Sequence, residues 1–134
     1  MSVRRSSEKT YIFKYDVSGG DKATGTVTLG SLPSNFVITQ AWIHVLTTFT
    51  SATDAATIAL GYTGATDAFD AAIAISNASN PWDAGAPRTS DVAADGAVGN
   101  FVTTAAGDDV LATVAVETLT AGKLLLVIKG YVAF

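Results

Sequence analysis

From Thr10 to Val17 apolar and polar residues alternate, with Tyr11, Phe13, Tyr15 and Val17 on one phase and Thr10, Lys14 and Asp16 on the other. A period of two marks a strand with one buried face. Ser18-Gly19-Gly20-Asp21-Lys22 reads as a turn, Gly25 to Leu29 as a short strand ended by Gly30, and Leu32-Pro33-Ser34-Asn35 as a loop. The longest β-like segment runs from Phe36 to Phe49. There Val37, Ala41, Ile43 and Val45 share a phase that reads as core, while Gln40, Trp42 and His44 share the opposite one. Ala56 to Tyr62 keeps Ile58, Leu60 and Tyr62 in phase and leaves through Gly61 and Gly64.

The segment from Asp67 to Ile75 fits two periods. Phe69, Ala72, Ile73 and Ser76 suit a helix, and Ile73 and Ile75 suit a strand. One or two helical turns are the favoured reading. Asn77 to Asp95, rich in Asn, Pro, Asp, Ala and Gly, reads as a long surface loop carrying Trp82 and Arg88. Strands are then predicted at Val98 to Thr103, Val110 to Val116 and Leu124 to Phe134. Val110, Ala112, Val114 and Val116 share one face of the second. The last is apolar on both faces, so it belongs at the centre of a sheet or beneath another subunit. About seven to eight short strands with one helical turn predict an all-β fold, a β-sandwich or jelly roll.

Composition narrows the function. The chain has 134 residues, enough for one domain, taken as 10–134 behind a flexible arm at 1–9. Only 15% of residues are charged, against about 25% in an ordinary soluble domain. Ala, Thr, Ser and Gly take their place, which suits surfaces packed against neighbours. Residues 51–120 carry nine acids and the single base Arg88, and with a pI near 4.6 this disfavours nucleic acid as a partner. The polar start predicts no export signal, and no apolar run is long enough for a membrane-spanning helix.

Candidate chemistry is sparse. Cysteine is absent and His44 is the only histidine, so disulfides, a Cys–His pair and an ordinary zinc ligand set are all excluded. His44 reads as a surface or interface residue. Asp67 with Asp70, and Asp108 with Asp109, allow a loop calcium site but match no EF-hand spacing, and capping and turn roles account for them. Asn77-Ala78-Ser79 is a glycosylation sequon in a chain with no evident export route. The glycines form no phosphate-binding loop. Neither catalysis nor a cofactor is predicted.

Two stretches, "GTVTLGSLPSNFVITQAWIHVLTTFTSATDAATIALGYTG" and "VLATVAVETLTAGKLLLVIKGYV", carry a resemblance. Their order of packing and turn signals resembles small structural proteins of tailed bacteriophages, among them capsid decoration (cement) proteins. The likeness covers most of the chain but not the loop around 77–95. It implies a virion role at the capsid surface, with the major capsid protein and further copies of the chain, as homodimer or homotrimer, for partners. It transfers no catalytic residues, since Leu32-Pro33 and Leu119 to Lys123 are structural turns.

Phase and position nominate the contact residues. Trp42, His44, Trp82, Tyr131 and Phe134 are candidates for subunit or capsid contact, with Arg4, Arg5 and Lys9 reaching an acidic neighbour. Each tryptophan has a second reading as burial beneath its own loops. The alternative function is a head or tail-fibre receptor-binding module, lectin-like, using Trp82, Tyr62 and Asn80 against sugar. A small hydrolase relying on His44 stands behind both.

Overall fold

A computed structural model describes residues 8–20, 23–85, 87–89 and 107–132. The strands are β1 (Lys9–Asp16), β2 (Gly25–Leu32), β3 (Phe36–Ser51), β4 (Thr57–Tyr62), β5 (Ala65–Ala74), β6 (Arg88–Thr89), β7 (Asp108–Ala115) and β8 (Leu119–Val132). They form two four-stranded sheets, ordered β1-β8-β3-β6 and β2-β7-β4-β5. β1 pairs with β8, β2 with β7, β3 with β6 and β4 with β5, all antiparallel. This is one long hairpin rolled across two layers, the winding of a jelly roll.

The alternation read from the sequence builds the core between the sheets. Phe13 and Tyr15 of β1, Leu124, Leu126 and Ile128 of β8, and Ile58, Leu60, Val110, Ala112 and Val114 of the other sheet are buried. A Leu or Ile fully withdrawn from water contributes about 1.5–3 kcal/mol. β8 lies between β1 and β3; its inward face is buried against the other sheet, while Leu125 and Val127 of the outward face are half-buried. Gly130 of β8 sits where a Cβ would run into the Val37 carbonyl and the Phe36 ring. No larger residue leaves β3 room there.

Several expectations are corrected, most of them by bulges. Asp67 to Ile75 is not helical: it lies in β5, up to Ala74, and the register against β4 slips on either side of Leu60. Extra residues at bulges break the period of two and create helix-like spacing. The helical turn that is present is the 3₁₀ turn Val17–Gly19, where the Asp16 side chain accepts from Ser18 N. Hydrogen bonds from both the Ser18 hydroxyl and its amide lower the Asp16 pKa. In β3 a slip between Ile38 and Gln40 puts Phe36 and Ile38 inward ahead of Ala41, Ile43 and Val45. Val37 is thereby moved off the core phase and stands opposite Tyr131. Leu119 to Gly122, read as a connection, already belongs to β8. Lys9, assigned to the arm, opens β1 opposite Gly130. Arg4, Arg5, Phe134 and the predicted strand Val98 to Thr103 lie outside the described residues.

Of the two readings of Trp82, the structure shows burial. Rather than standing on a surface loop, it is fully buried, its Nε1 donating to the Ile73 carbonyl at 3.1 Å and its ring meeting Phe49 edge-on at 6.0 Å. Phe49 stacks in turn on Tyr15 at 5.9 Å. The loop closes against β3 through Phe49 N to the Trp82 carbonyl (3.0 Å) and Ala84 N to Thr48 Oγ1 (3.0 Å). Trp82 is therefore an anchor that seals one end of the sandwich, not a contact residue or a sugar platform.

Candidate functional site

The two sheets turn different surfaces to solvent. On the outward phase of β2-β7-β4, Thr26, Thr113 and Ala59 stand in one row and Thr28, Leu111 and Gly61 in the next, with Thr26 and Thr28 exposed and Ala59 and Gly61 buried. Thr26 and Thr113 are hydrogen-bonded across the strands at 3.2 Å. It is a flat face of small residues.

The outer face of β1-β8-β3 is larger-featured. Register places Ile12, Val127 and Trp42 in one row, and Lys14, Leu125 and His44 in the next. Lys129 lies between Thr10 and Gln40, and Lys123 stands opposite Asp16 and Thr47. Tyr131 ends the face opposite Val37. Among the described residues, three of the four exposed large hydrophobic side chains fall on these strands and this side, Ile12 (62% exposed), Leu46 (40%) and Tyr131 (39%). The Lys129 ammonium sits 5.3 Å from the centre of the Trp42 ring, a cation–π geometry across the two strands. Apolar side chains and lysines thus share this face, which makes it the candidate interaction surface.

The structure thus brings Trp42, His44 and Tyr131 onto one face, and sets Lys9 at the end of its edge strand. Trp82 is inside, and Tyr62 packs on Phe69 at 5.8 Å, so the lectin-like trio forms no platform. Burial foremost, with Asp108 adding to it, raises the Tyr62 pKa. Ile12, Lys14, Leu125, Val127 and Lys129 were not nominated, although two apolar faces on the last strand were the available signal. His44 stands opposite Leu125 on β8, and no described group of three or more His, Cys, Asp or Glu residues is placed to hold a metal ion. Asn77 Oδ1 accepts from Ser79 N (2.9 Å) and Ser79 Oγ (2.7 Å), a local turn role.

A second constructed feature lies at the β7–β8 connection. Glu117 Oε1 accepts from Ser51 Oγ (2.6 Å), Thr53 N (3.2 Å) and Ala55 N (3.0 Å), and Oε2 accepts from Thr53 Oγ1 (2.7 Å). These donors, the Ser51 hydroxyl first, hold its pKa down to about 2. Glu117 N bonds the Ala115 carbonyl at 2.9 Å around Val116, whose φ is 75° and whose side chain is 70% exposed. That is a γ-turn of the rarer, strained hand, unfavourable for a β-branched residue. Glu117 and its donors clasp the β3–β4 loop and fix the turn.

The fold is a jelly-roll-like β-sandwich whose β1-β8-β3 sheet carries lysines and apolar side chains on its outer face. No family model and no curated protein sequence matches the chain. Among solved structures it is similar to a chain of the cyanophage Pam1 capsid asymmetric unit, with 17% identity and a TM-score of 0.64 over 98% of this chain and 92% of that one. It is similar to a chain of the capsid of Ralstonia phage GP4 at 20% identity and TM-score 0.61, covering 96% and 84%. A chain of the acid-stable capsid of the Helicobacter pylori bacteriophage KHP30 matches at 14% and 0.57, covering 95% and 93%. What is shared at such identities is the fold, and it is shared across nearly the whole of each chain.

Proposed function

We propose that this protein is a structural component of a bacteriophage virion, a decoration or cement protein that binds the outer surface of the assembled head and bridges neighbouring major capsid protein subunits. The observation that carries the reading is the whole-chain likeness to chains of phage capsid structures. In each pairing the counterpart is itself a small chain of similar extent, not a fragment of a larger one. The low charge content and the apolar outer face of β1-β8-β3 agree with a life spent against other subunits. Its action needs no covalent chemistry. A ligand that binds only the assembled shell stabilises it by mass action, about 2.7 kcal/mol per site at one hundred times Kd. Homodimers or homotrimers would multiply the contacts per binding event.

The test uses heads of the encoding phage assembled without this chain. Added back, the purified protein should bind them saturably and raise their melting temperature. Saturating protein that leaves the melting temperature of the bare heads unchanged would refute cementing.

A further inference from the structure

We infer that the outer face of β1-β8-β3 is the surface that meets the shell, and that its partner there is a protein surface with an apolar centre bordered by carboxylates. The inference rests on the cement reading and adds the face and the chemistry of the partner. The described lysines, Lys9, Lys14, Lys123 and Lys129, all lie on β1 and β8, which are adjacent strands. Lys14, Lys123 and Lys129 share the outward phase with Ile12, Leu125 and Val127, so cations border an apolar strip. The described carboxylates that adjoin the face stand at its ends: Asp16, which accepts from Ser18 (2.6 Å) and lies beside Lys123, and Glu8, which accepts from Thr39 (3.5 Å).

The other described acids lie elsewhere. Asp67 and Asp70 are on β5, Asp108 and Asp109 on β7, and Asp54, Asp83 and Glu117 in connections. This separation decides between occupants. A second copy docking by the same face would bring two sets of Lys14, Lys123 and Lys129 together, with Asp16 and Glu8, at the ends of the face, as the described carboxylates to oppose them, fewer than the cations they would meet. Like charges so placed are costly in an interface, whereas a carboxylate-rimmed partner gains both attraction and orientation. Ile12, the most exposed apolar residue of the face, is the residue to enter the partner's apolar centre.

Binding to heads assembled without the chain tests the inference, with Lys14→Glu/Lys129→Glu and Ile12→Glu on this face and Thr28→Glu on the opposite sheet. All four substitutions in these three variants are at exposed positions or on the outward phase, and unchanged melting of the isolated variants confirms that they fold. The lysine double variant should weaken binding about 30-fold and Ile12→Glu by a similar factor, with Thr28→Glu near wild type, since rim charges and central anchors act in this range. Wild-type binding should also weaken as salt rises from 50 to 500 mM, a range over which screening contracts to about 4 Å from about 14 Å. Wild-type binding with loss only in Thr28→Glu would overturn the choice of face and leave the cement reading standing. Sedimentation showing that the lysine variant disrupts a homo-oligomer while still binding shells would assign the face to a second copy. No binding by wild type would remove the cement reading and the inference with it.

Discussion

Trp82 offers the sharpest separation between a core residue and a contact residue. The indole is fully buried, stands edge-on to Phe49 and donates to the Ile73 carbonyl at 3.1 Å. Trp82→Ala empties the end of the sandwich, and truncations of buried aromatics cost about 3–5 kcal/mol. Trp82→Phe keeps most of the ring but leaves the Ile73 carbonyl without this donor, a loss of about 1–3 kcal/mol. We expect about 4 kcal/mol for alanine and about 2 kcal/mol for phenylalanine, against a total stability on the order of 5–15 kcal/mol. At about 3 °C per kcal/mol for a domain of this size, the melting temperature should fall by about 12 °C and 6 °C. Urea titrations should give parallel losses, and the folded fraction of each variant should bind its partner as wild type does. The reasoning is refuted if Trp82→Ala melts within about 2 °C of wild type while losing partner binding, because a solvent-facing indole alone gives that result.

Glu117 has a folded pKa of about 2 against an ordinary 4.5, so its contribution is complete above pH 4.5 and is lost as pH falls through 2. Melting curves from pH 6 to 2 should show Glu117→Gln less stable than wild type near neutrality, with the gap closing in acid. Val116→Gly should stabilise the fold by about 1 kcal/mol and so raise the urea midpoint, since strained backbone at a β-branched residue costs about 1–3 kcal/mol and the side chain is mostly exposed. Gly130→Ala should cost about 3 kcal/mol or more and reduce soluble yield, because the new methyl meets the Val37 carbonyl and the Phe36 ring. Trp42→Ala should cost less than about 1.5 kcal/mol, consistent with a half-exposed aromatic, and should remove the redder of the two tryptophan emissions.

Much of the sandwich was legible because its cores obey a period of two wherever the ladders are regular. β1, β7 and the centre of β8 show this directly, as Phe13, Tyr15, Val110, Ala112, Val114, Leu124 and Leu126 all bury as their phase requires. Legibility failed where register slips. The slip at Ile38/Gln40 moved Val37 off the core phase, and the slips around Leu60 gave β5 a helical look. Local spacing cannot reveal a bulge whose cause is the partner strand. Trp82 was misplaced for a related reason: Pro, Asn and Asp around it are turn formers, yet the cavity it fills is made by Phe49 and Ile73, which the fold alone brings near. The contact face was half legible. Trp42, His44 and Tyr131 were nominated from phase, whereas Ile12 and the lysines gain meaning only when β1 lies beside β8. The Glu117 clasp joins residues 62 to 66 positions apart and leaves no trace in either segment.

Pairing of Lys9 with Gly130 and of Asp16 with Lys123 has a consequence for how the molecule is made. During synthesis β1 emerges early and waits, unpaired, until β8 has cleared the ribosome; only then can the sheet bearing Ile12 and Trp42 exist. Contacts so distant along the chain slow folding and lengthen the exposure of sticky intermediates. A nascent chain halted before Leu119 therefore lacks the strand that joins β1 to β3, and the outer row of Ile12, Val127 and Trp42 is completed only by the last part of the chain to be made.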